Sequence, residues 1–164
     1  LPHDKPNPIN QYGMAKYLEE LLKQECNNAI IVRTGWLYGK NYKNFVNTMI
    51  KLSEYRKELK IVGDQFGAPT YTKDLSKILE IVENIDNSRS KIFHLSNETK
   101  KISRFDFANE IFRILKDIVV KKCNSEEFPT KAMRPKFSKL MNDSGVVLEG
   151  WERGLKEYFK LYKK

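Results

Sequence analysis

The chain is poor in several things, and each shortage removes a class of function. Its eight glycines form no G-x-G-x-x-G or G-x-x-G-x-x-G turn. The tight backbone cradle for a dinucleotide pyrophosphate is therefore missing from these 164 residues. Two cysteines, Cys26 and Cys123, and two histidines, His3 and His94, supply no disulfide framework and no metal-ligand spacing, so no metal site is expected. Reduced thiols and a cytoplasmic location are the default expectation. No G-x-S-x-G supports a Ser-His-Asp hydrolase. No apolar run approaches the roughly 18 residues of a membrane span, and no signal-peptide pattern opens the chain. It begins at Leu1 rather than Met, which leads us to expect a missing leading segment.

Positive charge, by contrast, is plentiful. Thirty Lys and Arg face 21 Asp and Glu, a net charge of +9. Such a balance attracts nucleic acid, acidic membranes or small polyanions. The cations are scattered, with no run longer than pairs such as Lys100-Lys101, and no nucleic-acid motif accompanies them. A solvated lysine-rich surface is the simpler reading, with neither nucleic acid nor membrane as partner. Aromatics at 12% and hydrophobics at 40% describe a folded domain.

Helical and extended patterns alternate. A helix is expected from about Asn10 to Glu25, with Met14, Leu18, Leu21 and Leu22 on one arc and Tyr12 and Lys16 on the other side. Ala29 to Val32 reads as a strand buried on both faces. Phe45 to Tyr55 reads as helix, Leu59 to Val62 as strand, and Gly63 to Thr70 as loop. Leu75, Ile78, Leu79 and Val82 mark a helix that Thr72 or Thr70 is placed to cap. Asn84 to Ser90 reads as a polar connection, Ile92 to Leu95 as a strand. Ser103 with Asp106 resembles a capping box opening the helix of Phe107, Ala108, Ile111, Phe112 and Leu115. Ile118 to Val120 is a last strand, 123–147 is irregular, and Trp151, Leu155, Tyr158, Phe159 and Tyr162 share one face of a terminal helix. The pattern is α/β with at least some parallel sheet.

In open α/β sheets, ligands bind beyond the carboxyl ends of strands. Thr34 to Gly39 and Gly63 to Thr70 leave strands in that sense. Four-residue spacing sets the Tyr12 phenol beside the Lys16 ammonium, and a cation there favours phenolate, suiting Tyr12 for proton exchange with a carbonyl oxygen. Tyr-x-x-x-Lys by itself also arises by chance in a chain with eight Tyr, and the pair then lies on a plain solvated face. Trp36 offers a flat face and one donor to a pyranose or nicotinamide, or else fills core. Arg134, before Pro135 in an irregular segment, is placed to fork onto a phosphate or to make a surface ion pair. His94, between Phe93 and Leu95, reads as structural.

Taken in order, Asn7-Pro8-Ile9-Asn10-Gln11-Tyr12-Gly13-Met14-Ala15-Lys16, Arg33-Thr34-Gly35-Trp36-Leu37-Tyr38-Gly39, and Asn44-Phe45-Val46 resemble the extended short-chain dehydrogenase/reductases. Asp64-Gln65-Phe66-Gly67-Ala68-Pro69-Thr70-Tyr71 with Asp74, then Arg134-Pro135 with Ser138 and Leu140, narrow the likeness to the dTDP-4-dehydrorhamnose reductase family. The resemblance implies reduction of a dTDP-linked 4-keto sugar by NADPH or NADH. It implies Tyr12 as general acid and Lys16 as its cationic partner. Tyr12, Lys16 and Gly35 would then stand at the cofactor, and Trp36, Asn44, Gln65 and Arg134 at the substrate. The implied architecture is the carboxyl-terminal part of a Rossmann-like NAD(P)-binding fold plus a small mixed α/β substrate-binding subdomain. Residues 1–40 and 59–83 would belong to the first, and 41–58 and 84–164 to the second. The amino-terminal half of the reductase, with its phosphate loop, would be a partner, and a homodimer is compatible. The fragment alone is expected to be inactive. A non-catalytic relative of the same fold, and a reductase or epimerase for another nucleotide-linked 4-keto sugar, are the alternatives.

Overall fold

Asn10 opens the first helix because its side chain accepts from the Gly13 amide (2.7 Å), satisfying a donor the helix itself leaves orphaned. The computed structural model describes residues 4–26, 29–84, 91–115 and 118–162. Helix α1 spans Gln11–Gln24 and leads to strand β1, Ile30–Arg33. Then come β2 (Leu37–Tyr38), α2 (Phe45–Ser53), β3 (Glu58–Val62), β4 (Phe66–Gly67) and β5 (Thr70–Tyr71). A 3-10 turn at Asp74–Lys77 runs into α3 (Ile78–Asn84). The remaining elements are β6 (Lys91–His94), β7 (Ile102–Ser103), α4 (Arg104–Leu115), β8 (Val119–Cys123), a second 3-10 turn at Ser125–Glu127, and α5 (Trp151–Tyr162). His3 and residues 85–90 of the expected polar connection lie outside the described residues.

Three strand pairs are parallel: β1 with β6, β2 with β5, and β3 with β8. One, β4 with β7, is antiparallel. The fold is thus α/β with parallel pairing, and β1–β6 and β3–β8 each join segments from the two expected subdomains. Tyr38, Val46, Phe107, Ile111 and Leu155 are fully buried where α2, α4 and α5 meet. Tyr38 donates to the Trp151 carbonyl (2.9 Å), and burial pushes its phenol far above the ordinary range.

Four expectations need correction. β1 is half-buried along its length rather than covered on both faces, because β6 is its one strand neighbour among the described residues. The apolar arc of α1 is largely open, with Leu18 50% and Leu22 72% exposed. Gly63 to Thr70 is not all loop: Phe66–Gly67 pairs with Ile102–Ser103 in antiparallel register (Phe66 with Ser103, Gly67 with Ile102), a partner distant in sequence that no local pattern announces. Neither Thr70 nor Thr72 caps the next helical segment, since Thr70 is fully buried in β5 and Lys73 sits at the cap position with no side-chain bond. The Ser103–Asp106 box forms as expected. Asp106 Oδ2 accepts from the Ser103 amide and hydroxyl (2.7 Å each), and the Asp106 amide donates back to Ser103 Oγ (3.2 Å).

Candidate functional site

The irregular segment after β8 is what closes the site. It is pinned to β4 by Phe66 N donating to the Lys136 carbonyl (2.7 Å) and Ser138 N donating to the Phe66 carbonyl (2.9 Å). It is pinned to the start of α1 by Asn10 Nδ2 donating to the Met133 carbonyl (2.8 Å). Between those anchors lies a hollow of about 620 Å³ whose walls include Tyr12, Trp36, Gln65, Arg104 and Arg134. Three of the four expected substrate residues therefore share one space with the expected acid.

Tyr12 is 72% exposed, with its ring on the wall of that hollow. The Lys16 ammonium is 5.9 Å from the ring centroid. It is also gripped by Glu19, at 3.0 and 2.8 Å, and this bond holds the lysine above its ordinary pKa, with a smaller contribution from Tyr12. A cation so placed stabilises negative charge on its neighbours through space.

Trp36 departs from the expectation of a free stacking face. Its backbone is in the left-handed region (φ 48°), and its indole N–H donates to Ser138 Oγ (3.1 Å). Gly67 stands so close that an added Cβ would be 2.2 Å from Trp36 Cε2. The Arg104 guanidinium lies 3.7 Å from the ring centroid. Trp36 is thus a fixed platform whose occupant is a protein cation.

Asn44 is 9% exposed and caps α2: Oδ1 accepts from Asn47 N (3.0 Å), while Nδ2 donates to the carbonyls of Gly39 (2.8 Å) and Tyr42 (3.0 Å). It faces not the Tyr12 hollow but an adjoining one of about 570 Å³, whose walls include Phe45, Ile61 and Phe128. The two hollows meet at Gln65, Arg104, Thr130 and Arg134, which belong to both. Gln65 Nε2 donates to Ser125 Oγ (3.0 Å), and Ser125 in turn holds the Asp64 carboxyl below the usual carboxylate range. Gly35 is on neither wall; a Cβ there would meet nothing within 4 Å, so the space beside it is open.

Arg104 escapes a reading by motif. One cue was available: it is the first residue of a helix, where the macrodipole disfavours a cation, so its retention there asks for a compensating role. Burial, then the neighbouring Arg134, lower its pKa to about 10. Together the hollows are bordered by Lys43, Lys60, Arg104, Lys131 and Arg134 and, among the described residues, by no Asp or Glu. Such walls favour an anionic ligand with apolar parts. Among the described residues, no cluster of three or more His, Cys, Asp or Glu is placed to hold a metal, and no helix is long and apolar enough to cross a membrane.

The family model of the RmlD substrate binding domain matches residues 1–164. The chain is 36% identical over 163 residues to the spore coat polysaccharide biosynthesis protein SpsK of Bacillus subtilis, covering 96% of this chain and 56% of that one. It is 34% identical to the dTDP-4-dehydrorhamnose reductase of Aggregatibacter actinomycetemcomitans, with 92% and 56% covered. Among solved structures it is similar to a dTDP-4-dehydrorhamnose reductase of Bacillus anthracis in complex with NADP (TM-score 0.87, 39% identity, 98% of this chain and 58% of that one). A UDP-glucuronic acid 4-epimerase of Bacillus cereus, at 18% identity and a TM-score of 0.78, shares the fold. The chain spans a little over half the length of these relatives.

Proposed function

Because the chain belongs to the RmlD substrate binding domain family, we propose that it is the carboxyl-terminal portion of an NAD(P)H-dependent dTDP-4-dehydrorhamnose reductase. The reaction would convert the 4-keto group of dTDP-4-dehydro-L-rhamnose to the hydroxyl of dTDP-L-rhamnose. The observation that carries this reading is the single hollow holding Tyr12, Gln65 and Arg134, bordered by cations and no carboxylate. Relatives carrying that reductase name, one of them solved with NADP, support the reaction class.

In this reading Tyr12 gives its phenolic proton to the C4 oxygen as that oxygen gains negative charge. Lys16 keeps positive charge beside the phenol and offers its ammonium to ribose hydroxyls. NADPH or NADH supplies the hydride. The residues present fit the nicotinamide end of such a cofactor: Tyr12 and Lys16 are exposed together on α1, and Gly35 leaves open space after β1. The chain has no glycine-rich turn for the pyrophosphate, so that task falls to an amino-terminal half of the same reductase. The dTDP-sugar is the small-molecule partner, and alone the chain should show no turnover.

The test joins the chain to such a half and follows NAD(P)H oxidation with dTDP-4-dehydrorhamnose. Tyr12→Phe should slow turnover roughly a hundred- to ten-thousand-fold while cofactor affinity stays near the parental value. A Phe variant at the parental rate removes Tyr12 from the chemistry.

A further inference from the structure

Among the described residues, no carboxylate answers the charge of Arg104. It is half-buried, and among the described residues it has no ion pair. Its guanidinium carbon lies over the Trp36 ring (3.7 Å to the centroid) and 5.0 Å from the Phe45 centroid. Its backbone is held by its own amide donating to the Gln65 carbonyl (3.1 Å) and by the Ser103–Asp106 box that brackets it. Trp36 is fixed in turn by Ser138. The result is a planar five-donor fork, held by its surroundings, with no carboxylate on the walls of either hollow it borders.

A guanidinium taken partly out of water beside a second one costs free energy unless an acceptor arrives. Its position says what kind. Arg104 and Arg134 stand where the Tyr12 hollow and the Phe128 hollow meet. A ligand filling both must carry its negative charge in the middle and less charged groups at both ends.

We infer that Arg104 is a specificity-determining residue that binds the diphosphate of a nucleoside diphosphate sugar, with the sugar on the Tyr12 side and the nucleoside on the Phe45 and Phe128 side. This rests on the nucleotide-sugar reading above, but concerns binding rather than reduction. Held over Trp36, the guanidinium offers a planar set of donors that phosphoryl oxygens match in pairs and an ammonium does not reproduce.

The test is calorimetric titration of the chain with dTDP, dTMP, thymidine and inorganic pyrophosphate, paralleled by tryptophan fluorescence, to which Trp36 and Trp151 both contribute. The parent should bind dTDP more tightly than dTMP, and both more tightly than thymidine. Arg104→Met, which keeps an apolar cover on Trp36, should lose about 10- to 100-fold for dTDP and pyrophosphate. Its thymidine affinity and melting temperature should not move. Equal dTDP affinity in parent and variant overturns the inference, as does an equal loss for thymidine, which would mark Arg104 as packing only. So does a parent with no preference for dTDP over thymidine. Should the Met variant not fold, Arg104→Lys must still lose several-fold for dTDP alone, and parental affinity there overturns the inference too. A dTDP site that depends on Arg104, in a protein whose Tyr12→Phe variant turns over normally, would uphold this inference and sink the reductase chemistry.

Discussion

At the scale of single residues, side chains here are defined by what already occupies their polar atoms. His94 is 2% exposed, its Nδ1 has no hydrogen-bond partner among the described residues, and its Nε2 is 3.3 Å from Arg33 Nη1. Arg33 is itself held by Glu20 (2.9 and 2.7 Å), and Asp143 accepts from the His94 amide (2.8 Å) rather than from the ring. Burial first, then Arg33, lower the imidazole pKa from 6.5, outweighing Asp143. The sign follows. Below 6.5 the unfolded chain takes up a proton that the folded one refuses, so stability falls with pH until the folded pKa is reached. The midpoint of thermal unfolding should therefore drop as pH is lowered from 7 through 6.5, and His94→Gln should flatten that slope. An unchanged slope would place the acid sensitivity elsewhere. Reading His94 as structural was possible from its apolar neighbours in the strand; its cationic neighbour, 61 residues away in sequence, was not.

At the scale of elements, the Ser103–Asp106 box is legible in the sequence, whereas the start of the 3-10 turn at Asp74–Lys77 and the short strands are not. Ser103 and Asp106 act within one turn, so their spacing alone predicts the bonds they make. Asp106→Ala should cost about 1 kcal/mol in urea-induced unfolding, because two donors of Ser103 lose their acceptor. A variant as stable as the parent would mean that water replaces the carboxylate without loss. β4 and β5 are two residues each, too short for any periodicity to register, and exist because β7 and β2 lie beside them. Trp36 and Asn44 show the same limit. Loop position and residue type suggested ligand contacts, whereas Ser138, 102 residues on, and the α2 amino terminus determine what their polar atoms do.

For the whole molecule, the core lies where α2, α4 and α5 converge, and α1 stands apart from it. Asp74 ties α5 in place: it is 6% exposed, accepts from Arg153 (2.5 Å), and accepts from Asn97 (2.6 Å). Leu155 is wholly buried, whereas Leu22 is 72% exposed. Thermal unfolding should separate them: Leu155→Ala should cost about 2–5 kcal/mol, and Leu22→Glu no more than about 0.5 kcal/mol. A large loss from Leu22→Glu would show that the arc of α1 is packed in solution. Amphipathic spacing identified that arc correctly as apolar. It carried no information on whether anything covers it, since periodicity reports a face and not its neighbour.

What the sequence by itself determined is whatever depends on spacing of a few residues or on an ordered set of motifs. That includes the α/β alternation, the Ser103–Asp106 box, the Tyr12–Lys16 pairing and the family. Only the tertiary structure decided which distant segments share a wall. The segment at 128–138 is brought against β4 by backbone hydrogen bonds that any sequence of suitable shape could make, and against the start of α1 by the Asn10 side chain donating to the Met133 carbonyl. That contact sets Arg104 beside Arg134 and joins two hollows at a cationic neck. Electrostatic character of this kind belongs to proximity in space, which neither composition nor periodicity encodes.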